Sequence, residues 1–345
     1  MKSSLFSFLK NWTLPVAIAV GTSFYLLFAF VPAFDATGDA LLPVFETLLP
    51  LTIFCTLFIT FSKVDFHLMR LRRWHLYILA AQFLLVTLLV LLILSSSFFP
   101  LPSLIGEGAG ERLLLEAVLI CIIAPCASAS PVVTAKLGGD LTQMTTFVLL
   151  SALVSSLLIP VIFPMLEPPS FVHSPLSILY CSLAIFRRLA IVLLLPLVLG
   201  AIVRHWVKPL YQWFVRTPDL GFYCWCVSLA ITAGITVRNI VHSQVGLLLL
   251  GAIAFLTFLT SLLQFAIGRL IGKAVGEQVC TGQAMFQKNT GLAIWIAYTF
   301  LTPVASIGAG CYVLWQNLIN SYELWQSRHI SQRPINMSGQ RPIEE

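Results

Sequence analysis

The chain has 345 residues, of which 58% are hydrophobic and only 10% are charged, and its mean hydropathy is +0.93. A soluble domain carries roughly a quarter of its residues as charged side chains, so the composition excludes a soluble globular protein and predicts a polytopic, all-α membrane protein. The formal net charge of +6 does not require a nucleic-acid partner, because the basic residues follow the predicted membrane topology.

Apolar runs of about 20 residues, the length that crosses a bilayer, occur ten times along the chain. The predicted spans cover residues 12–34, 41–62, 75–99, 113–134, 141–166, 188–207, 219–241, 245–271, 279–301 and 306–326. The first run lacks a small-residue cleavage site after it, so we interpret it as a retained span and not as a signal peptide. We expect one membrane domain over residues 1–326, followed by a disordered cytoplasmic tail over residues 327–345.

The twenty Lys and Arg residues indicate the orientation of these spans. With the N-terminus in the cytoplasm, the inner set of fifteen is Lys2, Lys10, Lys63, Arg70, Arg72, Arg73, Lys136, Arg204, Lys208, Arg216, Arg269, Lys273, Arg328, Arg333 and Arg341. The outer set of four is Arg112, Arg187, Arg188 and Arg238, and Lys288 falls inside a span. This excess of inner positive charge predicts both termini in the cytoplasm, and the compact chain suggests a bacterial inner membrane.

The chain divides into two halves of five spans, residues 12–166 and 188–326. Residues 167–187 carry Pro168, Pro169 and Pro175 and then a short amphipathic piece that ends in Arg187-Arg188, which predicts a connector lying at the outer surface. Five is an odd number, so the second half must run through the membrane in the opposite direction. The halves echo each other weakly, since spans three and eight carry the Gln-Phe pairs that begin at Gln82 and Gln264.

Span four is interrupted by two prolines, Pro125 and Pro131, which flank Ser128 and Ser130. Each proline removes a backbone donor and clashes with the preceding helical turn, and lipid offers no partner to the freed carbonyls. A simple proline kink is the alternative interpretation. Two prolines together with two serines favour an unwound, polar crossing.

Span nine is interrupted by a polar run that contains a lysine. The run consists of Gln287, Lys288, Asn289 and Thr290, followed by the helix-breaking Gly291. A charged side chain at mid-depth costs several kcal/mol, so an intramembrane lysine indicates a functional site. The alternative is that Lys288 snorkels to the headgroups, but apolar residues continue to Leu301.

Broken helices at matching positions of inverted halves are typical of a transporter binding site. The half-helix N-termini attract anionic groups, and the half-helix carbonyl ends attract cations. Spans four and nine therefore predict an anion pocket beside a cation seat.

These residues resemble the bile acid:sodium symporter family, within the superfamily that includes arsenite and auxin carriers. The span-four motif P-G-G-T-A-S-N of that family corresponds to Pro125 to Pro131, and the span-nine motif E-x-G-x-Q-N-S-G-L-A corresponds to Ala284 to Ala293. Gln82 matches a glutamine that the family carries in span three. Trp315-Gln316-Asn317-Leu318 resembles the W-x-N-L element of its last span.

The resemblance implies a ten-helix fold of two inverted five-helix repeats. Spans 1, 2, 6 and 7 would form a panel, and spans 3–5 and 8–10 would form a core in which the broken helices 4 and 9 cross. Family members carry organic anions, usually with sodium, by moving the core against the panel. The resemblance also implies that the substrate is bound by Ser128, Ser130, Asn289 and Thr290.

The departures from the family pattern concern the sodium sites. The family uses an asparagine after the serine of span four, two hydroxyls in span five, and the glutamate and glutamine of span nine. The residues at these positions here are Pro131, Met144, Val148, Ala284 and Lys288. The simplest account is that Lys288 replaces a sodium ion and bonds to Gln82 and to the broken-helix carbonyls, with Gln287 beside it. Transport would then be sodium-independent or proton-linked.

Other interpretations stay open at this point. The protein could be a sodium-coupled organic-anion symporter with a relocated ion site, or a membrane sensor or channel that does not transport. An enzyme is not expected, because the aspartates fall at span ends and no protease or hydrolase motif occurs. The cysteines and histidines show no metal-ligand spacing, so no metal or cofactor is expected beyond sodium or a proton. Both a monomer and a homodimer remain open, as does the identity of the substrate.

Overall fold

The computed structural model describes residues 13–31, 34–96, 109–166, 175–217, 220–243 and 245–332. Within these ranges the regular elements are all helical. The first half contains α1 (Thr13–Phe30), α2 (Asp35–Ser62), α3 (Arg73–Ser96), α4 (Ala109–Ile123), α5 (Ser130–Lys136) and α6 (Leu141–Leu166). The second half contains α7 (Pro175–Leu189), a π turn (Ala190–Leu194), α8 (Leu195–Trp206), α9 (Lys208–Arg216), α10 (Leu220–Val241), α11 (Leu247–Val275), α12 (Gln278–Phe286), α13 (Thr290–Phe300) and α14 (Ala305–Gln332).

Six helical segments among the described residues are long and apolar enough to cross a membrane. They are Pro43–Ser62, Arg73–Ser95, Leu141–Leu166, Leu176–Trp206, Leu220–Val241 and Leu247–Val275. Their outer faces carry large exposed apolar side chains, such as Leu84, Leu88 and Leu91 of α3, where lipid is the natural neighbour. The chain is a polytopic integral membrane protein.

The two predicted breaks are present between α4 and α5 and between α12 and α13. Two of the three predicted helix-breaking residues lie elsewhere, however. Pro131 lies in the first turn of α5, where a missing N–H costs nothing because that group has no helical partner. Gly291 lies in the first turn of α13, where an added Cβ would approach the Ser228 hydroxyl to 3.2 Å, so this glycine permits close packing against α10.

The helices pack in two groups. In the first group α10 packs against α1 and α2, and α2 packs against α8. In the second group α4 packs against α3, α11 and α14, while α11 packs along α12. The approach of α11 to α12 is close, since a Cβ on Gly268 would lie 2.5 Å from the Thr281 carbonyl oxygen. The groups meet where α2 and α10 contact α13.

The amphipathic piece of the predicted connector is a helix that continues into the next predicted span. Residues 175–189 form α7, which continues through the π turn into α8 and makes one long apolar helix. This segment packs against α6 and buries Ile185 and Leu189, while the Arg188 guanidinium lies over the Phe300 ring at 5.9 Å. The arginine pair therefore lies in the last turn of α7, and the helix continues past it. Residues 167–174 of the connector lie outside the described residues.

The last helix also extends beyond its prediction. α14 continues to Gln332, six residues past the predicted end of the membrane domain at residue 326. No glycine or proline occurs between Gly310 and Pro334, so nothing in the sequence ends the helix before the residue preceding that proline. The rest of the predicted tail, residues 333–345, lies outside the described residues.

Candidate functional site

The two helix breaks cross each other as short non-helical segments that are joined by one isolated antiparallel bridge. The Ala127 amide donates to the Gln287 carbonyl at 2.9 Å, and the Asn289 amide donates to the Pro125 carbonyl at 2.9 Å. Cys126 lies opposite Lys288 in this antiparallel pair. Because lipid cannot satisfy backbone groups that leave a helix, each break supplies the partners that the other requires.

The carbonyl end of α4 is contacted by the side chains of Lys288 and Gln82. Lys288 Nζ donates to the Ile122 carbonyl at 3.0 Å, and Gln82 Nε2 from α3 donates to the same oxygen at 2.9 Å. Ser155 Oγ from α6 donates to the next carbonyl, that of Ile123, at 2.9 Å. Lys288 and Gln82 thus share one acceptor at a helix end that carries about half a negative charge.

Lys288 is enclosed by protein, with 1% of its surface exposed. Its backbone N–H donates to Gln316 Oε1 of α14 at 2.9 Å. The ion pairs among the described residues join Arg112 to Glu116, Arg204 to Asp65 and Arg269 to Glu323, and none involves Lys288. Carbonyl dipoles therefore face this ammonium in place of a carboxylate.

The carbonyl groups at the end of α12 have other hydrogen-bond donors than those at the end of α4. The Tyr312 hydroxyl of α14 donates to the Phe286 carbonyl at 2.6 Å, and Gln264 Nε2 of α11 donates to that hydroxyl at 3.0 Å. The sequence predicts the echo between Gln82 and Gln264 but indicates no role for Gln264 or for Tyr312. A tyrosine within a membrane helix carries no sequence signal for such a contact.

The N-terminal ends of α5 and α13 lie on the other side of the crossing. Asn289 caps α13, with Oδ1 accepting from the Leu292 amide at 3.2 Å. Asn289, Thr290 and the half-buried Ser128 line a common pocket. Ser130 is fully buried behind the crossing, where its hydroxyl accepts from the Cys126 thiol at 3.2 Å. The structure thus brings three of the four predicted substrate residues together and places Ser130 outside the pocket wall.

A cavity of about 1050 Å³ separates the two helix groups. It extends from the crossing to the ends of α2 and α5. On the side of α2 and α10 its wall includes Thr56, Thr60, Lys63, Tyr223 and Trp225. On the opposite side its wall includes Ser128, Lys136, Gln287, Lys288, Asn289, Thr290, Gln316 and Asn320. The cavity is large enough for a small organic molecule and ends at the predicted anion pocket.

A sequence model of the sodium bile acid symporter family matches residues 47–243. The match covers more than half of the chain. This protein belongs to the sodium bile acid symporter family. No curated protein gives a significant match to the chain. The matched range includes the first break, between α4 and α5, together with α10 and the part of α2 from residue 47 onward, which form one wall of the cavity.

The helix groups of this symporter-family protein also touch on the far side of the crossing. The Tyr298 hydroxyl of α13 donates to the Glu46 carboxylate of α2. A separate cavity of about 200 Å³ lies beside this contact. The contact closes the cleft between α2 and α13 at the end opposite to the large cavity.

The described residues offer no alternative centre for metal chemistry. Within them, no group of three or more His, Cys, Asp or Glu side chains could hold a metal ion. The cysteines are free thiols, and the buried Glu116 accepts from Arg112 Nε at 2.8 Å. The crossing and its cavity are therefore the site on which a functional proposal can rest.

Proposed function

We propose that this protein is a secondary active transporter that carries a small organic anion by alternating access, with Lys288 in the place of a coupling sodium ion. Membership of a transporter family supports the transport function. The contact of Lys288 Nζ with the Ile122 carbonyl, 3.0 Å long, is the observation that carries the proposal for the lysine.

The proposed architecture is one transporter domain of ten membrane crossings, built from the repeats 12–166 and 188–326. The panel consists of spans 1, 2, 6 and 7, and the core consists of spans 3–5 and 8–10. The separation of the helices into two packing groups supports this division. The distribution of positive charge supports cytoplasmic termini, and we place the protein in a bacterial inner membrane.

A fixed ammonium at the cation seat has a direct electrostatic consequence. Lys288 supplies one positive charge to the carbonyl end of α4, which is the charge that a bound sodium ion would supply. A second cation at the same carbonyls would be repelled by the ammonium at close range. Sodium coupling at this seat is therefore unfavourable, and transport proceeds without sodium.

The lysine allows two modes of transport. If Lys288 keeps its proton through the cycle, the protein is a uniporter or an exchanger. If Lys288 releases the proton when water reaches the cavity on one side, the amine couples transport to the proton gradient. A response to an imposed pH gradient distinguishes the two modes.

The anionic group of the substrate is proposed to bind between Ser128, Asn289 and Thr290. The amides of Thr290, Leu292 and Ala293 already donate to oxygens of Lys288 and Asn289. The attraction for an anion at the start of α13 is therefore assigned to the helix dipole and to the amide of Gly291, which lines the pocket. A carboxylate fits the combination of helix N-terminus, amide and hydroxyl donors. The large cavity leads from this pocket to Lys63 and Lys136, which the topology places in the cytoplasm.

The test is uptake of labelled organic anions into proteoliposomes, with and without a sodium gradient and then with a pH gradient. We expect wild-type uptake that is indifferent to sodium, and we expect Lys288→Gln to abolish uptake or to make it respond to sodium. The matched control is Lys136→Gln, because Lys136 is exposed at the mouth of the same cavity. Wild-type uptake that requires sodium, or an unaltered sodium-indifferent Lys288→Gln variant, would overturn the proposal.

Saturable countertransport in the same vesicles separates a carrier from a channel. A carrier loaded with unlabelled anion exchanges it for external label and shows a transient overshoot, because the site faces one side at a time. A channel gives equilibration without overshoot, and a sensor gives binding without uptake.

A further inference from the structure

A short amphipathic helix directly follows the membrane-spanning segment Leu176–Trp206. This helix is α9, and it covers Lys208–Arg216. It packs on α2 and α8, where its Phe214 is buried with Ile59 and Val203. α9 therefore lies at the end of a membrane span, where the hydrocarbon of the bilayer gives way to headgroups and water.

Two contacts fix α9 against its helix group. Arg204 of α8 donates to the Tyr211 hydroxyl at 3.4 Å and to the Asp65 carboxylate at 2.6 Å. Lys63 Nζ donates to the Thr217 carbonyl at 3.5 Å, just after α9 ends. Arg204 and Lys63 are thus bonded within the protein, and the face of α9 that points away from the protein is held in one orientation.

The outward face of α9 carries positive charge beside exposed tryptophans. Lys208, Gln212 and Arg216 are exposed and follow one another at intervals of four residues, which places them in one row along the helix. Trp206 is 73% exposed and Trp213 is 49% exposed. We call these five residues the α9 patch.

The positive charge of the α9 patch is not offset by acidic residues. No Asp or Glu occurs between Glu167 and Asp219. The ion pairs that join described residues involve neither Lys208 nor Arg216. These two side chains are therefore available to an anionic partner outside the protein.

The headgroup region of an anionic phospholipid matches this combination of side chains. Tryptophan is enriched at the boundary between lipid and water, because its ring is apolar and its N–H is polar. Amphipathic helices with basic and aromatic residues lie in the plane of that boundary. A soluble acidic partner would account for Lys208 and Arg216 but not for the exposed Trp206, which ends the membrane span itself.

We propose that the α9 patch binds the headgroup of an anionic phospholipid. Lys208 and Arg216 attract the negative charge of the lipid, while Trp206 and Trp213 lie at the boundary with its acyl chains. The proposed topology places this lipid in the inner leaflet, and the packing of α9 means that the lipid holds α2 and α8 at the membrane surface. The inference goes beyond the proposed function and does not depend on the substrate or on Lys288.

The test measures which lipid is enriched beside α9 in liposomes of mixed phosphatidylglycerol and phosphatidylcholine. The reporter is an NBD fluorophore on Gln212→Cys in a background without the native cysteines, since position 212 lies between the two basic residues. A trace of either lipid carries a nitroxide on its acyl chain, and the quenching by each is compared. We expect a preference for phosphatidylglycerol of roughly five- to thirtyfold, which corresponds to one or two basic side chains near a membrane surface. Added salt should reduce this preference.

Two double variants localise the effect. Lys208→Gln combined with Arg216→Gln should bring the preference to about one. The matched control is Lys136→Gln combined with Lys273→Gln, which removes the same charge from two exposed lysines of the other helix group. Each of these lysines is followed four residues later by an acidic residue, and the control should keep the wild-type preference. Because each preference is a ratio within one variant, a loss of folded protein does not imitate the result.

Glycerol phosphate distinguishes a lipid from a soluble anion that carries the same phosphate group. At equal ionic strength it should displace the lipid no better than sodium chloride does, because it lacks the acyl chains that lie beside Trp206 and Trp213. Full displacement by glycerol phosphate would show that the ligand is a soluble anion and would overturn the lipid assignment. A wild-type preference near one would also overturn the proposal, as would a control variant that loses the preference as fully as Lys208→Gln with Arg216→Gln.

Discussion

Lys288 shows how a single ammonium can be held inside a membrane domain without a carboxylate. Its Nζ meets a carbonyl at the end of α4, and Gln82 donates to the same oxygen. The lysine adds charge to a helix end that an amide already satisfies. We therefore expect the contribution of Lys288 to stability to be small, so that its proposed role in transport can be tested apart from stability.

This separation predicts the behaviour of Lys288→Met. Replacing a buried charge by an apolar side chain of similar length is often neutral or stabilising, and Gln82 still satisfies Ile122. We expect the free energy of unfolding to change by less than about 1 kcal/mol, while sodium-indifferent uptake is lost. The measurement is the midpoint of thermal unfolding in detergent, alongside uptake.

The companion variant is Gln82→Leu, which removes the amide and leaves the ammonium. It should destabilise the protein by roughly 1–3 kcal/mol. The reason is that Gln82 Nε2 also reaches the buried Ala124 carbonyl at 3.5 Å, whereas Lys288 and Ser155 still donate to the Ile122 and Ile123 carbonyls. A large loss of stability in Lys288→Met, equal to that of Gln82→Leu, would show that the lysine mainly supports the fold.

Individual residues could be predicted from the sequence where a polar or helix-breaking residue interrupts an apolar span. Lys288 and Pro125 are such residues, and both lie at the crossing. Tyr312 is not, because a tyrosine in an apolar helix gains its role only from the Phe286 carbonyl, which is distant in the sequence. Ser130 was misplaced for a similar reason, since the sequence does not show which side of the crossing a serine faces.

At the scale of elements, α11 and the half-helix α12 depend on close packing through glycine. A Cβ at Gly268 would lie 2.5 Å from the Thr281 carbonyl oxygen and 2.9 Å from Gly282 Cα. Both contacts involve backbone, which cannot move aside as a side-chain end can. The position of α12, and with it the position of Lys288, therefore depends on the absence of a side chain at 268.

Gly268→Val should separate these helices. We expect a loss of roughly 1–3 kcal/mol of stability from overpacking, together with a loss of uptake because the crossing shifts. The matched control is Gly251→Ala on the same helix, where an added Cβ meets no atom within 4 Å. This control should be neutral or slightly stabilising, since alanine is the better helix former. Equal thermal midpoints for the two variants would contradict the packing argument.

Element boundaries were predictable where the polar interruptions are strong and were missed where they are weak. The breaks in spans four and nine lie where prolines and a polar run predicted them. The helix over residues 175–206 was cut short in the prediction, because Arg187 and Arg188 resemble the end of an apolar run. The contact between Arg188 and the Phe300 ring is a tertiary feature that apolar periodicity does not report.

At the scale of the whole molecule, the two helix groups are apart at one end and joined at the other. The large cavity extends toward Lys63 and Lys136, while Tyr298 donates to Glu46 at the opposite end. In the proposed topology the open end, which contains the large cavity, faces the cytoplasm. Alternating access requires that the Glu46–Tyr298 contact breaks when the site turns to the outside.

Tyr298→Phe should therefore shift the protein toward an outward-facing state. The reporter is Ile235→Cys in a background without the native cysteines, since Ile235 is buried and lines the cavity beside the contact. We expect a membrane-impermeant thiol reagent added outside to label this cysteine roughly five- to tenfold faster in Tyr298→Phe, because a net hydrogen bond of about 1 kcal/mol no longer favours closure.

Two further measurements test whether the effect comes from the Glu46–Tyr298 contact and whether opening on one side is coupled to closure on the other. Thr60→Cys, which lines the large cavity, should label more slowly from the inside when Tyr298 is replaced, because opening on one side closes the other. Glu46→Gln should weaken the same contact. Adding it to Tyr298→Phe should have little further effect, since Tyr298→Phe already removes the hydroxyl that binds Glu46 and that also contacts the Arg238 side chain. Labelling of the cysteine at 235 from outside could rise while labelling of the cysteine at 60 from inside is unchanged. The contact would then affect only local packing, and opening at one end would not be coupled to closure at the other.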